Sequence, residues 1–168
     1  EKMPVTQSLC IHCHFYQPPR GNPFSRTPLI EPDAAPARNW NERIAAECYG
    51  PNARLGNFEE ISFNIGETLL GWLAENDPNT YQLILQADTL NVERHQVGNA
   101  IAQSMHHTIL PLDRREDKAT QIAWGKAAFA HRFGRQSTGM WVPEMAVDTE
   151  TLEVLIEQGI EWIIVTES

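Results

Sequence analysis

Five short apolar runs of strand length alternate with longer amphipathic segments along this chain, and this alternation limits the possible folds more than any other feature. In the longer segments apolar residues recur every three to four positions, which is typical of helices that bury one face. Apolar strands separated by helices favour a parallel sheet covered by helices. The sequence therefore predicts an α/β fold, in a barrel or a doubly wound layer. The strands are predicted at residues 7–14, 61–64, 100–104, 139–144 and 162–166.

The helix boundaries are predicted from capping residues. Asp77 and Asp148 can each accept a hydrogen bond from a free backbone N–H at a helix start, and Pro78 suits a first helical turn. Gly134 and Gly159 are predicted as helix ends, because glycine adopts the left-handed conformation that closes many helices. We therefore expect helices at residues 40–49, 67–75, 78–95, 117–133 and after 148, the first ended by Gly50-Pro51 and the last with Leu152, Leu155 and Ile156 buried.

Length and charge argue against several classes of function. The 168 residues carry a net charge of -9, whereas a nucleic-acid or anionic-membrane surface needs clustered Lys and Arg. No apolar run reaches transmembrane length and no signal-peptide pattern opens the chain, so we expect a cytoplasmic protein without a membrane partner. The length suits one domain but is short for a complete α/β barrel. Residues 1–168 are therefore expected to form a single partial barrel domain, truncated before its C-terminal strands.

The three cysteines are Cys10, Cys13 and Cys48. The spacing of the first two is compatible with a redox or zinc site. On a strand, however, residues three apart point to opposite faces and cannot share a metal ion. We therefore expect small, buried, reduced thiols rather than a metal site.

Polar side chains lie where four of the predicted strands end. In parallel α/β folds the carboxyl ends of the strands meet at one edge, and sites form there. The sequence therefore predicts one site at this edge, beside a long proline-rich loop predicted at 15–37. Because His106 and His107 are adjacent, only one of them is expected to face the site. The full set is His12 and His14, Asn64, Ser104 with His106 and His107, and Trp141 with Glu144.

Glu144 has the clearest chemistry of these residues. A carboxylate at a strand end, three residues after a tryptophan that can stack on a sugar ring, fits the nucleophile of a glycosidase. The alternatives are a solvated loop carboxylate at this position and a Trp141 that belongs to the core. His12 can likewise be a core histidine, or else it or His14 bonds to a sugar hydroxyl or to Glu144.

Three stretches resemble signatures of glycoside hydrolase family 57, the group of α-amylase-like and 4-α-glucanotransferase-like enzymes. They are His12-Cys13-His14-Phe15-Tyr16-Gln17-Pro18, the segment from Ser104 to Leu112, and Gly139-Met140-Trp141-Val142-Pro143-Glu144. The resemblance spans almost the whole chain. It implies a (β/α)7 barrel, here incomplete with about five βα units, a retaining mechanism on α-glucosidic bonds, and no metal or other cofactor. It also implies Glu144 as the nucleophile. Together with the strand-end argument, it places His12, His14, Gln17, Asn64, His107 and Trp141 against the carbohydrate substrate.

The chain departs from the family pattern in two places. Phe15-Tyr16 separates His14 from Gln17, and no acidic residue occupies positions 100–103. Both departures indicate a divergent branch, whose substrate can differ from starch.

A retaining enzyme also needs a proton donor about 5 Å from its nucleophile. Asp88, Asp113 and Asp148 suit this role poorly, since the first lies in a predicted helix and the last is a predicted cap. The acid is therefore expected beyond Ser168, and these residues alone are expected to be inactive.

Two other functions stay open at this point. A metal-dependent carbohydrate deacetylase or mannosidase-like enzyme would need an Asp close to its paired histidines, and the stretch from His12 to Tyr16 supplies none. A barrel without activity could instead bind carbohydrate as a regulatory module. The sequence does not specify the glycan, the choice between hydrolysis and transfer, or the oligomeric state.

Overall fold

The computed structural model describes residues 9–24, 27 and 29–166. Among these residues every strand pair is parallel: β1 with β2, β3 with β4, and β4 with β5. A parallel bridge between Phe63 and Ala100 joins β2 to β3. The strands therefore follow one another in chain order, as a β/α barrel requires, and the α/β prediction is confirmed. The strands are β1 His12–Phe15, β2 Ser62–Ile65, β3 Ala102–Gln103, β4 Gly139–Trp141 and β5 Trp162–Ile163.

Helices connect successive strands, and most of them begin and end where capping residues predict. Asp77 accepts the Thr80 N–H at 3.2 Å, Asp148 accepts the Thr151 N–H at 2.7 Å, and Gly134 is left-handed with φ 68°. Short 3-10 turns cover Pro32–Ala34, Leu110–Leu112 and Pro143–Met145. The α-helices are α1 Trp40–Ile44, α2 Gly50–Arg54, α3 Asn57–Glu60, α4 Glu67–Asn76, α5 Pro78–His95, α6 Arg115–Phe133 and α7 Thr149–Glu157.

Apolar side chains fill the space between the sheet and its helices. Phe63 and Met140 point outward from β2 and β4, and neither has exposed surface. α6 approaches β3 closely at Gly125, where a Cβ atom would stand 2.0 Å from the backbone oxygen of Gln103. The helices contribute the fully buried Leu69, Leu73, Ile84 and Ile122.

The sheet is strongly curved. In a flat sheet β1 and β4 would lie three strand spacings apart, roughly 14 Å. The rings of His14 on β1 and Trp141 on β4 are nevertheless stacked with their centroids 4.6 Å apart. The inner face of the sheet is therefore concave, like part of a barrel wall, and polar residues line it.

The first helix does not end at Gly50-Pro51 as predicted. A π-helical turn at Ala45–Tyr49 follows α1, and the Gly50 N–H bonds to the Ala45 carbonyl. Pro51 then falls in the first turn of α2, where its missing N–H is not needed. The π turn therefore lets the helical segment continue to Arg54, and the following α3 was not predicted.

The prediction for the buried face of α7 is also wrong in part. Leu155 is buried, but Leu152 is 40% and Ile156 71% exposed. The helix packs on α6 with the face that carries Thr151 and Val154, which are buried.

Smaller differences concern the first strand and the cysteines. β1 runs His12–Phe15 rather than 7–14, of which residues 7 and 8 lie outside the described residues. All three cysteines are free thiols, but Cys10 is exposed and the other two are half-buried, contrary to the expected burial. No helix in the described part of the chain is both long enough and apolar enough to cross a lipid bilayer.

Candidate active site

The register of β1 and β2 places four polar side chains on the inner face of the barrel. His12 pairs with Ser62, and His14 pairs with Asn64. Residues two apart on a strand share a face, so both histidines and both partners point inward. The His12 Nδ1 lies 2.9 Å from the Ser62 hydroxyl, and its Nε2 lies 3.0 Å from the Asn64 Oδ1.

Asn64 fixes the protonation of both imidazole rings. Its carboxamide oxygen can only accept, so the His12 Nε2 carries a proton and its Nδ1 accepts from Ser62. Its amide nitrogen can only donate, to the His14 Nδ1 at 2.8 Å and to the Gln103 Oε1 at 2.5 Å. His14 therefore carries its proton on Nε2. Asn64 has no exposed surface, so it can act on a ligand only through these neighbours.

The hydrogen-bond direction set by Asn64 continues to Glu144. The protonated His14 Nε2 lies 3.1 Å from the His107 Nε2, which must accept. The proton of a neutral His107 is then on Nδ1, and this atom lies 3.9 Å from the Glu144 Oε1. That distance exceeds a hydrogen bond, so the contact between His107 and Glu144 is electrostatic. The chain of donors thus ends at the His107 Nδ1, 3.9 Å from a carboxylate oxygen.

The two histidines of β1 are neutral at neutral pH. Burial lowers the pKa of His12, and its hydrogen bond to Asn64 opposes this only in part. Burial also lowers the pKa of His14, the neighbouring His107 lowers it further, and the carboxylate of Glu144 acts in the opposite direction. Desolvation disfavours the charged form of an imidazole. The hydrogen-bond directions set by Asn64 also require that His12 and His14 are neutral.

Trp141 supports the histidines rather than standing open to a ligand. Its ring stacks on His14 with centroids 4.6 Å apart, and on His12 at 5.7 Å. The residue is only 9% exposed, and its indole N–H is enclosed without a hydrogen bond among the described residues. The packing role weighed for Trp141 from the sequence matches this position.

Glu144 is held where the barrel wall ends, in the turn after β4. Its side chain is 65% exposed, while that of His107 is 12% exposed. Glu144 and Met145 both have left-handed backbone, with φ 57° and 52°. Non-glycine residues in this conformation cost about 1 to 3 kcal/mol each and cluster at functional sites. The turn directs the carboxylate to the open end of the barrel, where it can reach a ligand.

Gln17 belongs to a different group of contacts from the histidines. Its amide nitrogen donates to the Tyr49 hydroxyl at 3.2 Å, and its amide oxygen accepts from Arg20 at 3.0 Å. His106 is exposed and faces away, so of the two adjacent histidines only His107 joins the site. Ser104 is buried and donates to the His106 carbonyl at 3.2 Å.

Each aspartate weighed as a proton donor is engaged elsewhere. Asp88 accepts two hydrogen bonds from Arg135, and Asp148 caps α7. Asp113 accepts from the Thr108 hydroxyl at 2.6 Å. None of these three carboxyl groups contacts Glu144 in the part of the chain that the structure describes.

Three residues of the site were not predicted from the sequence. Tyr16 packs on His107 with ring centroids 4.2 Å apart, and Gln103 and Ser62 complete the network around Asn64. Strand alternation could have indicated Ser62, because it lies two residues before Asn64. No group of three or more His, Cys, Asp or Glu side chains among the described residues is arranged to hold a metal ion.

Comparison with protein families and with known proteins identifies a family that matches this chain. The model of glycosyl hydrolase family 57 matches residues 25–168. Over 108 residues the chain is 26% identical to alpha-amylase 1 of Dictyoglomus thermophilum, and over 115 residues it is 28% identical to the 4-alpha-glucanotransferase of Thermococcus litoralis. The crystal structure of a 4-alpha-glucanotransferase from Thermococcus litoralis superposes with a TM-score of 0.65 at 22% identity, covering 92% of this chain and 21% of that one. The structural likeness supports the fold.

The matched regions are a small part of these relatives. The two alignments cover 64% and 67% of this chain but only 15% and 16% of the amylase and the glucanotransferase. The residues of the chain thus correspond to one portion of much longer proteins, the portion that contains the first strands of the barrel.

Proposed function

Because this chain belongs to glycosyl hydrolase family 57, we propose that the protein containing it cleaves or transfers α-glucosidic bonds, with Glu144 as the nucleophile. The observation that carries the proposal is the position of this carboxylate. It is exposed where the barrel wall ends, and one of its oxygens lies 3.9 Å from the Nδ1 of His107. The names of the relatives, an alpha-amylase and a 4-alpha-glucanotransferase, supply the substrate class.

In the proposed reaction a Glu144 oxygen attacks the anomeric carbon as the bond to the leaving oxygen breaks. A second carboxyl group protonates the leaving oxygen, and a covalent glycosyl ester forms on Glu144. Water, or a hydroxyl of another sugar, then gives its proton to the second carboxyl group, which is now ionised, and attacks the anomeric carbon, which releases the Glu144 carboxylate. The first acceptor gives hydrolysis and the second gives transfer. We place the second carboxyl group on an aspartate outside these 168 residues.

His107 would act on the charge of Glu144. Its Nδ1 lies 3.9 Å from the carboxylate oxygen, close enough to help hold the carboxylate in position for attack on the sugar. Asn64 and His14 keep the proton of His107 on this nitrogen, because their own hydrogen bonds have one direction. His12, His14, Asn64 and Trp141 would therefore serve the substrate chiefly by holding His107 and the barrel wall in place.

The proposal is tested by the substitution Glu144→Gln in the complete protein, assayed with a maltooligosaccharide. Glutamine keeps the shape of the side chain but cannot attack the anomeric carbon, so kcat/KM should fall by about a thousandfold or more. The matched control is Glu161→Gln, an exposed carboxylate just before β5, at the amino ends of the strands. It should change kcat/KM by less than about threefold. Equal activity of Glu144→Gln and the wild type would contradict the assignment.

The same assay addresses the two other functions. A regulatory module without activity would bind the maltooligosaccharide and leave it intact in both variants. A metal-dependent deacetylase would also leave the maltooligosaccharide intact, because this sugar carries no acetyl group, but it would release acetate from an acetylated oligosaccharide until a chelator is added. The described residues offer no group of metal ligands to support this alternative.

A further inference from the structure

A second cleft lies beside the candidate active site, on the outer side of the barrel. It has a volume of about 380 Å³ and separates the segment after β1 from the exposed side of α4. We call it the amide cleft. Its lining residues are Pro19, Arg20, Gly21, Asn39, Asn41, Glu67, Thr68, Gly71, Trp72, Glu75 and Asn76.

Two buried asparagines in this cleft have side-chain N–H groups without a hydrogen-bond partner among the described residues. Asn39 is 4% and Asn41 2% exposed. The Asn39 Oδ1 accepts the Glu42 N–H at 3.1 Å, and the Asn41 Oδ1 accepts from the Arg20 Nε at 3.1 Å. Neither side-chain nitrogen donates a hydrogen bond to the described residues. Both N–H groups are therefore available to an acceptor in the cleft.

The open space next to both amides is the cleft itself. Neither nitrogen is among the fully enclosed polar atoms that lack a partner, so each retains contact with open space. Both residues line the amide cleft. A ligand there that offers acceptors would complete their hydrogen bonding.

The charges in the cleft argue against an anionic ligand. Arg20 is the one cation among the described lining residues; it forms an ion pair with Glu31 and also donates to Gln17 and Asn41. Glu67 is neutralised by the guanidinium of Arg132, whereas Glu75 has no ion pair among the described residues. A phosphate or carboxylate would therefore meet a carboxylate and no free cation.

One wall of the cleft is aromatic. Trp72 is half-buried, packs partly on the core and presents its remaining surface to the cleft. Gly71 beside it leaves room, because it has no side chain. A sugar ring has apolar faces and hydroxyl groups around its edge. An aromatic face that lies next to two amide donors and a carboxylate acceptor can therefore bind it.

We propose that the amide cleft is a binding site for a neutral oligosaccharide, distinct from the position of Glu144. Its amides donate to sugar hydroxyls, Glu75 accepts from them, and Trp72 packs on a ring face. The site lies close to the catalytic rim, because Gln17, which bonds to Arg20, directly follows Tyr16, which packs on His107. The choice of an α-glucan as the ligand rests on the proposed function.

The test is a titration of ¹⁵N-labelled protein with maltotetraose, followed by NMR. The side-chain NH₂ signals of Asn39 and Asn41 and the indole signal of Trp72 report on the amide cleft. The indole signal of Trp141 and the ring signals of His107 report on the candidate active site. We expect the cleft signals to shift together and to saturate, and to do the same in a Glu144→Gln background.

Substitutions of Trp72 test the aromatic wall. Trp72→Leu should weaken binding at the cleft at least about tenfold, whereas Trp72→Phe, which keeps an aromatic face, should stay within about threefold of the wild type. The control is Trp124→Leu, which replaces a 56% exposed tryptophan on α6 outside the cleft and should leave the affinity unchanged. Wild-type signal shifts report on the site even if Trp72→Leu fails to fold.

The pattern of shifts separates the second site from the proposed function. Shifts at Trp141 and His107 alone would support the proposed function and remove the second site. Shifts at the cleft alone would support the second site and count against the proposed function. Inorganic phosphate is the contrasting probe, and cleft signals that respond to phosphate but not to maltotetraose would show that the ligand class is wrong.

Discussion

Asn64 decides which nitrogen of each inward-facing imidazole carries the proton. Its amide accepts from one histidine and donates to the other, so His12 and His14 both hold their protons on Nε2. His107 then holds its proton on Nδ1, the nitrogen that faces Glu144. A single buried carboxamide thus sets the direction of a hydrogen-bond chain that spans the barrel.

This tautomer pattern can be measured directly. In ¹⁵N-histidine NMR spectra at pH 7.5, His12 and His14 should show a protonated Nε2 and a bare Nδ1, and His107 the reverse. Asn64→Asp replaces the amide donor with an acceptor, so it should move a proton to the His14 Nδ1. Asn79→Asp, at an exposed position on α5, adds the same charge and should change none of the three rings. An unchanged His14 in Asn64→Asp would contradict the role of Asn64.

At the level of individual residues, the sequence predicts which side chains gather at the site but not which hydrogen bonds and ring contacts each one makes. Strand-end positions place His12, His14, Asn64, His107 and Glu144 at one rim, and the structure brings them together. The sequence could not predict which of these residues contact each other, because that depends on the register of β1 against β2 and on the curvature of the sheet. The same curvature covers the indole ring of Trp141, which the family resemblance places against the sugar.

The sequence predicts helix boundaries better than other features of the elements, because a capping residue acts on the backbone next to it. α5 and α7 begin at Asp77 and Asp148, and α6 ends at Gly134, as expected. The failure at Gly50-Pro51 has a local cause that no residue pattern indicates, namely the π turn that shifts the hydrogen bonding by one residue. Which face of α7 is exposed depends on how the helix packs against its neighbours in the fold, and a local residue pattern does not determine this packing.

The contact between α6 and β3 gives a prediction about two helical glycines. A Cβ atom at Gly125 would clash with the Gln103 backbone at 2.0 Å, whereas at Gly71 the nearest atom is an Arg132 nitrogen at 3.6 Å. Gly125→Ala should lower the free energy of unfolding by about 1 to 3 kcal/mol. Gly71→Ala should raise it by about 0.5 to 1 kcal/mol, because alanine is the better helix former. Urea unfolding of both variants measures the difference, and a stable Gly125→Ala would contradict the close approach of α6 and β3.

The stability of the whole molecule should fall in mild acid. The pKa values of His12 and His14 are lowered in the folded state, chiefly by burial. Above the unfolded value of about 6.5, the rings are neutral in both states and contribute no pH dependence. As the pH falls below it, the unfolded state binds protons that the folded state does not, so the fold loses stability until the lowered pKa is reached.

Urea unfolding at pH 7.5 and pH 5.5 measures this effect. The loss of free energy on acidification should be smaller in His14→Gln, because glutamine cannot bind the proton. The groups that face His14 are His12, Asn64, His107 and Glu144, and the carboxylate of Glu144 acts against the lowering. His131→Gln, at an exposed position on α6, is the control and should keep the wild-type pH dependence. An equal loss in His14→Gln and in the wild type would show that this ring does not titrate as described.

The attack of Glu144 on a sugar is tested most directly by trapping the covalent intermediate. The complete protein is incubated with a fluorinated α-glucosyl donor whose glycosyl ester breaks down slowly, then digested and analysed by mass spectrometry. We predict that the peptide containing Glu144 gains the mass of one fluoroglucosyl group, and that Glu144→Gln gains none. A fluoroglucosyl group found on any other residue would contradict the account.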